Sequence, residues 1–162
     1  KSIKIINRPG LQWKGQMANY LVTILDENKN TVWEEKKEAL GLTHFLKADG
    51  VEAEFITGES DLINAAELLK SYGPKEVIIT HKDGVLVFDG DKIYQEPFIL
   101  NKIIGRSGRG DTCGASYAFK RLTLKPEEAI KWAAAATSLK MESDSPLKSS
   151  YEEIEKRVEQ YF

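Results

Sequence analysis

The sequence holds one cysteine, Cys113, and two histidines, His44 and His81, in 162 residues. A single thiol cannot build an internal disulfide framework, and neither histidine has a second ligand at metal-finger spacing. No charge of one sign dominates: 23 basic residues stand against 25 acidic ones, for a net charge of −2. That balance carries no electrostatic footprint for nucleic acid or for an anionic membrane surface. No apolar run approaches the roughly 20 residues that span a bilayer. The first eight residues lack the apolar core of a signal peptide. Internal repeats and low-complexity tracts are absent too. The expectation from these absences is a cytoplasmic protein with neither a nucleic-acid nor a membrane partner.

What is present is an ordinary globular composition, 41 % hydrophobic and 30 % charged, of a length that suits one domain over residues 1–162. "SIKII" (Ser2–Ile6) predicts a strand, closed by the turn cluster "NRPG". "NYLVTILDENKNTVWEE" (Asn19–Glu35) predicts a hairpin with a polar tip, with a helix over its first half as the alternative. "THFLKAD" (Thr43–Asp49) predicts a strand, and "VEAEFI" starts a short helix that Gly58 stops. The spacing of Leu62, Ala65, Ala66, Leu68 and Leu69 predicts a helix, with Ser60 as N-cap and Gly73 as its stop. Val77–Thr80 is a continuous apolar run suited to a strand buried on both faces, and Val85–Phe88 follows after "HKDG". Pro126 and its following acidic residues open an alanine-rich helix, and Ser150 with Glu153 forms a capping-box pattern for a last one. Strands alternating with helices predict an α/β layered domain with a mostly parallel sheet.

Between a strand-like "FILNKII" (Phe98–Ile104) and a helical "DTCGASYAFKRL" lies "GRSGRGD" (Gly105–Asp111). Amides at a helix N-terminus have no intrahelical acceptor, and the helix dipole puts partial positive charge there. Gly108 and Gly110 let the backbone approach an anion, which is chemistry for holding a phosphate. A carboxylate at Asp111 would repel that phosphate, unless it takes a proton from a hydroxyl that attacks it. The same residues also fit a turn followed by an ordinary helix cap. "GRGDTCG" further fits a dinucleotide-binding loop of an oxidoreductase, but such a loop calls for a strand after its helix, and here another helix opens at Pro126.

At these residues the chain resembles the ribokinase-like (PfkB) carbohydrate kinase family, whose late signature reads D-T-x-G-A-G-D before a small-residue helix. Gly108, Gly110 and Asp111 match it, while Arg109 stands for the small middle residue, and Gly105 and Arg106 stand for the Asp-Thr pair. "LKADGVEAEFITGE" resembles the family's K-x-N-x-x-E segment, with Asp49 for the Asn and Glu52 on the Glu. "VIITHKDGVLVFDGDKIYQEPF" resembles its strand, nucleotide loop and hairpin, with Thr80 and Gly84 on loop positions and the loop one residue short. "EEAIKWAAAATSLKME" resembles the alanine-rich helix by the adenine pocket, with Ala134 where many members carry Asn.

The resemblance implies a three-layer, Rossmann-like (ribokinase-like) α/β fold with a mostly parallel sheet and an antiparallel hairpin. It covers the family's nucleotide-binding carboxy-terminal portion and leaves out the amino-terminal half. It also implies an ATP- and Mg²⁺-dependent kinase that phosphorylates a hydroxyl of a small sugar, polyol or nucleoside. Asp111 would be the general base, and Gly108, Arg109 and Gly110 the anion hole. Thr80, Gly84, Ala134 and Glu52 would contact the nucleotide, and Glu52 would organise the metal. A homodimer through the family's amino-terminal lid is a further implication. A nucleotide-binding remnant or regulatory module without catalysis is the alternative.

Overall fold

The computed structural model describes residues 40–162. The expected strand Ser2–Ile6 and the hairpin of residues 19–35 lie outside the described residues. The chain runs β1 (Phe45–Asp49), α1 (Gly50–Thr57), α2 (Leu62–Ser71), β2 (Glu76–Thr80), β3 (Gly84–Phe88), β4 (Ile93–Pro97), α3 (Arg109–Lys120), α4 (Pro126–Met141) and α5 (Tyr151–Tyr161).

The strands form one sheet in the order β1-β2-β3-β4. β1 and β2 are parallel, while β2–β3 and β3–β4 are antiparallel, so the sheet is mixed among the described residues. The apolar run of β2 is buried at every position, and its alternation sends side chains both ways. Val77 and Ile79 join Ala53, Ala65, Ala66 and Leu69 under α1 and α2. Ile78 joins Cys113, Tyr117, Ile130 and Ala133 under α3 and α4. α4 is buried on two sides, because Trp132, Ala135 and Ala136 pack against Ile154 of α5. The layers are therefore helix, sheet and helix, with α5 outside α4, which is the α/β layering the sequence predicts.

Local signals set several boundaries. Asp49 and Glu52 close a capping box at α1, and Ser150 with Glu153 closes one at α5. Pro126 stands at the start of α4. The α2 cap differs from expectation: Asp61, not Ser60, accepts from the Ile63 and Asn64 amides at 2.9 Å. The expected strand over residues 98–104 does not form either. Its amides are taken by other partners: Ile99 by Ser138 Oγ at 3.0 Å, Asn101 by Glu142 Oε1 at 2.9 Å and Ile104 by the Met141 carbonyl at 2.8 Å. The end of α4 satisfies this segment, so it needs no strand neighbour.

A polar cluster anchors the far end of α3. Tyr117 donates to Glu76 Oε2 at 2.5 Å, and Arg121 grips the same carboxylate, its closest contact being 2.6 Å. Glu76 opens β2 and is 8 % exposed. This ties the C-terminal end of α3 to the start of β2, and leaves the N-terminus of α3 at the other edge of the sheet.

Candidate active site

At that edge β1 and β2 end side by side, with Asp49 in register with Thr80. Beyond the carboxyl ends of parallel strands is where open α/β sheets place their ligands. The glycine-rich loop delivers the start of α3 to this edge. Gly108 is the N-cap with φ 77°, a left-handed conformation that a residue with a side chain adopts at a cost. The Arg109 amide donates to the Arg106 carbonyl at 3.2 Å, and the Thr112 amide to that of Gly108 at 2.9 Å. Between them, the Gly110 and Asp111 amides have no acceptor among the described residues. Two open amides at the positive end of a twelve-residue helix make an anion cradle. The exposed Asp111 carboxylate stands in the same turn.

Gly110 has a second role that its sequence context does not reveal. A Cβ there would lie 2.5 Å from Lys47 Nζ, and one on Gly114 would lie 3.4 Å from Lys47 Cγ. The two glycines, four apart on one helix face, form a groove for the lysine stem. The Lys47 ammonium thus rests on the first turn of α3, 3.7 Å from Glu52 Oε2. That oxygen also accepts the Asp49 amide at 2.7 Å, which makes Glu52 a capping residue as well as a neighbour of the cradle.

Arg109 is half-buried and acts electrostatically on His81. Burial holds the His81 pKa below its ordinary value; Asp83 opposes this, and Arg109 and Lys82 reinforce it. Thr80 is fully buried, and its hydroxyl has no hydrogen-bond partner among the described residues. Gly84 is required by packing: a Cβ would stand 2.3 Å from the Glu96 carbonyl of β4. Ala134 is wholly buried in the core cluster beneath the sheet. Cys113 is likewise sealed, with burial pushing its thiol up to about 11, so it packs rather than reacts. No group of three acidic, histidine or cysteine side chains suited to a metal occurs among the described residues.

The structure therefore gathers Gly108, Arg109, Gly110 and Asp111 on one turn, with Glu52 linked to them through Lys47. Two basic residues were not foreseen. Lys47 lies on β1, and Lys140, near the end of α4, brings its Cε to 3.7 Å from where a Gly108 Cβ would be. Nothing in their composition sets these lysines apart from solvated ones. Lys47 does fall on the Lys of the K-x-N-x-x-E segment, but its seat against Gly110 and Gly114 is visible only in the fold.

Comparison with known proteins places the chain in a family. Residues 13–152 match the model of the pfkB family carbohydrate kinase. A pyrophosphate-dependent kinase in the ribokinase family, solved with a pyrophosphate analog and myo-inositol, is 39 % identical with a TM-score of 0.68. The match covers 80 % of this chain and 48 % of that one. Arabidopsis thaliana ribokinase, solved with ribose and ATP, shares the fold at 23 % identity and a TM-score of 0.68, covering 75 % of this chain and 43 % of that one. Ribokinase of Lactococcus lactis subsp. lactis (strain IL1403) is 29 % identical over 77 residues, which are 47 % of this chain and 26 % of that protein. The chain spans about half the length of these solved structures, and the aligned part about a quarter of the curated relative.

Proposed function

The chain belongs to the pfkB family of carbohydrate kinases, and from that premise we propose that it forms the donor-binding part of an enzyme that phosphorylates a hydroxyl of a small sugar or polyol. The observation that carries this reading is the first turn of α3, where two open amides and a carboxylate meet beyond the ends of β1 and β2. The amides and the helix dipole stabilise charge on the phosphoryl group in transit. Asp111 accepts the hydroxyl proton as the new P–O bond forms and the anhydride bond of the donor breaks.

ATP with magnesium is the donor that the family resemblance implies, and one similar structure of the fold holds ATP and Mg²⁺. Magnesium is commonly held by one or two carboxylates together with the donor's phosphates. Glu52 fits that use, since its Oε1 has no hydrogen-bond partner among the described residues while Oε2 serves the cap. The magnesium would supply charge neutralisation on the donor. A second reading is pyrophosphate as donor, favoured by the 39 % identity to a kinase that uses it. Myo-inositol is, on the same ground, the first acceptor to try, followed by ribose.

Asp111→Asn in the full-length protein tests the base. Turnover should fall about 10²–10⁴-fold, measured as phosphorylated polyol by ³¹P NMR, while donor binding persists. Retained turnover in pure Asp111→Asn would refute the role. Failure of either donor to phosphorylate any polyol in the wild type would refute the kinase reading itself.

A further inference from the structure

Resting on that kinase reading, we propose that Lys140 and Lys47 grip the donor's diphosphate directly and that inorganic pyrophosphate, without a nucleoside, suffices as donor. Lys140 is 2 % exposed. Its ammonium has one hydrogen bond, to the Ser143 carbonyl at 3.3 Å, and no carboxylate within ion-pair distance among the described residues. Taking an ammonium out of water without a counter-charge is costly, and such groups are found paired. The side chain lies against Gly108, at the mouth of the anion cradle. A phosphate seated on the Gly110 and Asp111 amides would bring Lys140 the counter-charge it lacks.

Lys47 supplies the second cation. The Gly110–Gly114 groove lays its ammonium on the same turn. Its pairing with Glu52, at 3.7 Å, is long and leaves donor capacity free. With Arg109, three cations from β1, α3 and α4 surround one helical turn. The Thr80 hydroxyl, buried at the end of β2, also lacks a hydrogen-bond partner among the described residues. On the loop side, the backbone of Ser143 and Asp144 packs tightly on Gly105, closer than a Cβ would permit. A compact polyanion on this turn would bring negative charge to Lys140 and Lys47 together. A base and ribose are not needed to hold it.

The chemistry balances without a nucleotide. The acceptor oxygen forms a bond to one phosphorus as its proton passes to Asp111. The bridging P–O bond of pyrophosphate breaks, and orthophosphate leaves with that electron pair. The diphosphate end of ATP presents the same groups, so the test must separate the two sources.

Titration calorimetry on the full-length protein would compare imidodiphosphate with a non-hydrolysable ATP analogue, in wild type and in Lys140→Met and Lys47→Met. Imidodiphosphate should bind at least as tightly as the ATP analogue. Each substitution should weaken it about tenfold or more, equivalent to about 1.4 kcal/mol. Unliganded Lys140→Met should melt no lower than wild type, because it removes an uncompensated buried charge. A drop in melting temperature with unchanged affinity would make Lys140 structural and overturn the proposal. Turnover with ATP but not with pyrophosphate would also overturn it, yet leave the kinase reading standing.

Discussion

Gly110→Ala separates two reasons for a glycine at the heart of the cradle. If backbone freedom were the reason, alanine should destabilise the helix. The backbone of Gly110 is helical, however, so alanine is favoured there by roughly 0.5–1 kcal/mol on propensity. The steric term acts elsewhere. The new Cβ would stand 2.5 Å from Lys47 Nζ and 2.8 Å from its Cε, and ordinary contact begins near 3.4 Å. The atoms in the way are the far end of a flexible side chain, so the lysine withdraws and α3 stays in place. The expected variant folds as well as wild type, by chemical denaturation, and loses on the order of 10² in kcat/KM, in the range seen when one positioned charge-stabilising donor is lost. Lys47→Met should lose a similar factor, and the double variant should be no worse than Lys47→Met alone. Gly108→Ala is the contrasting case, since its φ of 77° imposes a conformational cost of roughly 1–2 kcal/mol on folding. The reasoning fails if Gly110→Ala is as damaging in the Lys47→Met background as in wild type, or if it destabilises the fold.

Two further outcomes concern the scaffold. Glu76→Ala strips the partner from a buried Tyr117 hydroxyl and from Arg121, and should cost about 3–5 kcal/mol in urea denaturation; a loss below 1 kcal/mol would show that the cluster does not anchor α3. The Cys113 thiol, at about 11 against an ordinary 9.0, contributes stability that is complete below about pH 9 and lost as pH rises through 11. The native protein should therefore resist iodoacetamide at pH 8, and Cys113→Ala should flatten the fall in stability between pH 9 and 11 by up to roughly 2–3 kcal/mol; rapid native alkylation would contradict the burial.

Sequence alone determined what rests on neighbours in the chain. A capping box needs residues three apart, so Ser150–Glu153 announces α5. Pro126 announces α4 in the same way. Gly108, Gly110 and Asp111 fall within four residues, so their placement on one turn follows once that turn is helical. The run Val77–Thr80 reads as a strand buried on both faces, because every position is apolar or β-branched.

Only the tertiary structure decided what depends on residues far apart. "FILNKII" is apolar and extended enough for a strand, yet Ser138, Met141 and Glu142 take its amides. The same end of α4 carries Lys140 to the cradle. Lys47 joins Gly110 only because β1 runs beneath α3, and Glu76 meets Arg121 only because α3 crosses to the start of β2. Charge and propensity along the chain are blind to such meetings. They depend on which faces of which elements the hydrophobic core turns toward each other, and that choice is made by the packed sheet and helices as a whole.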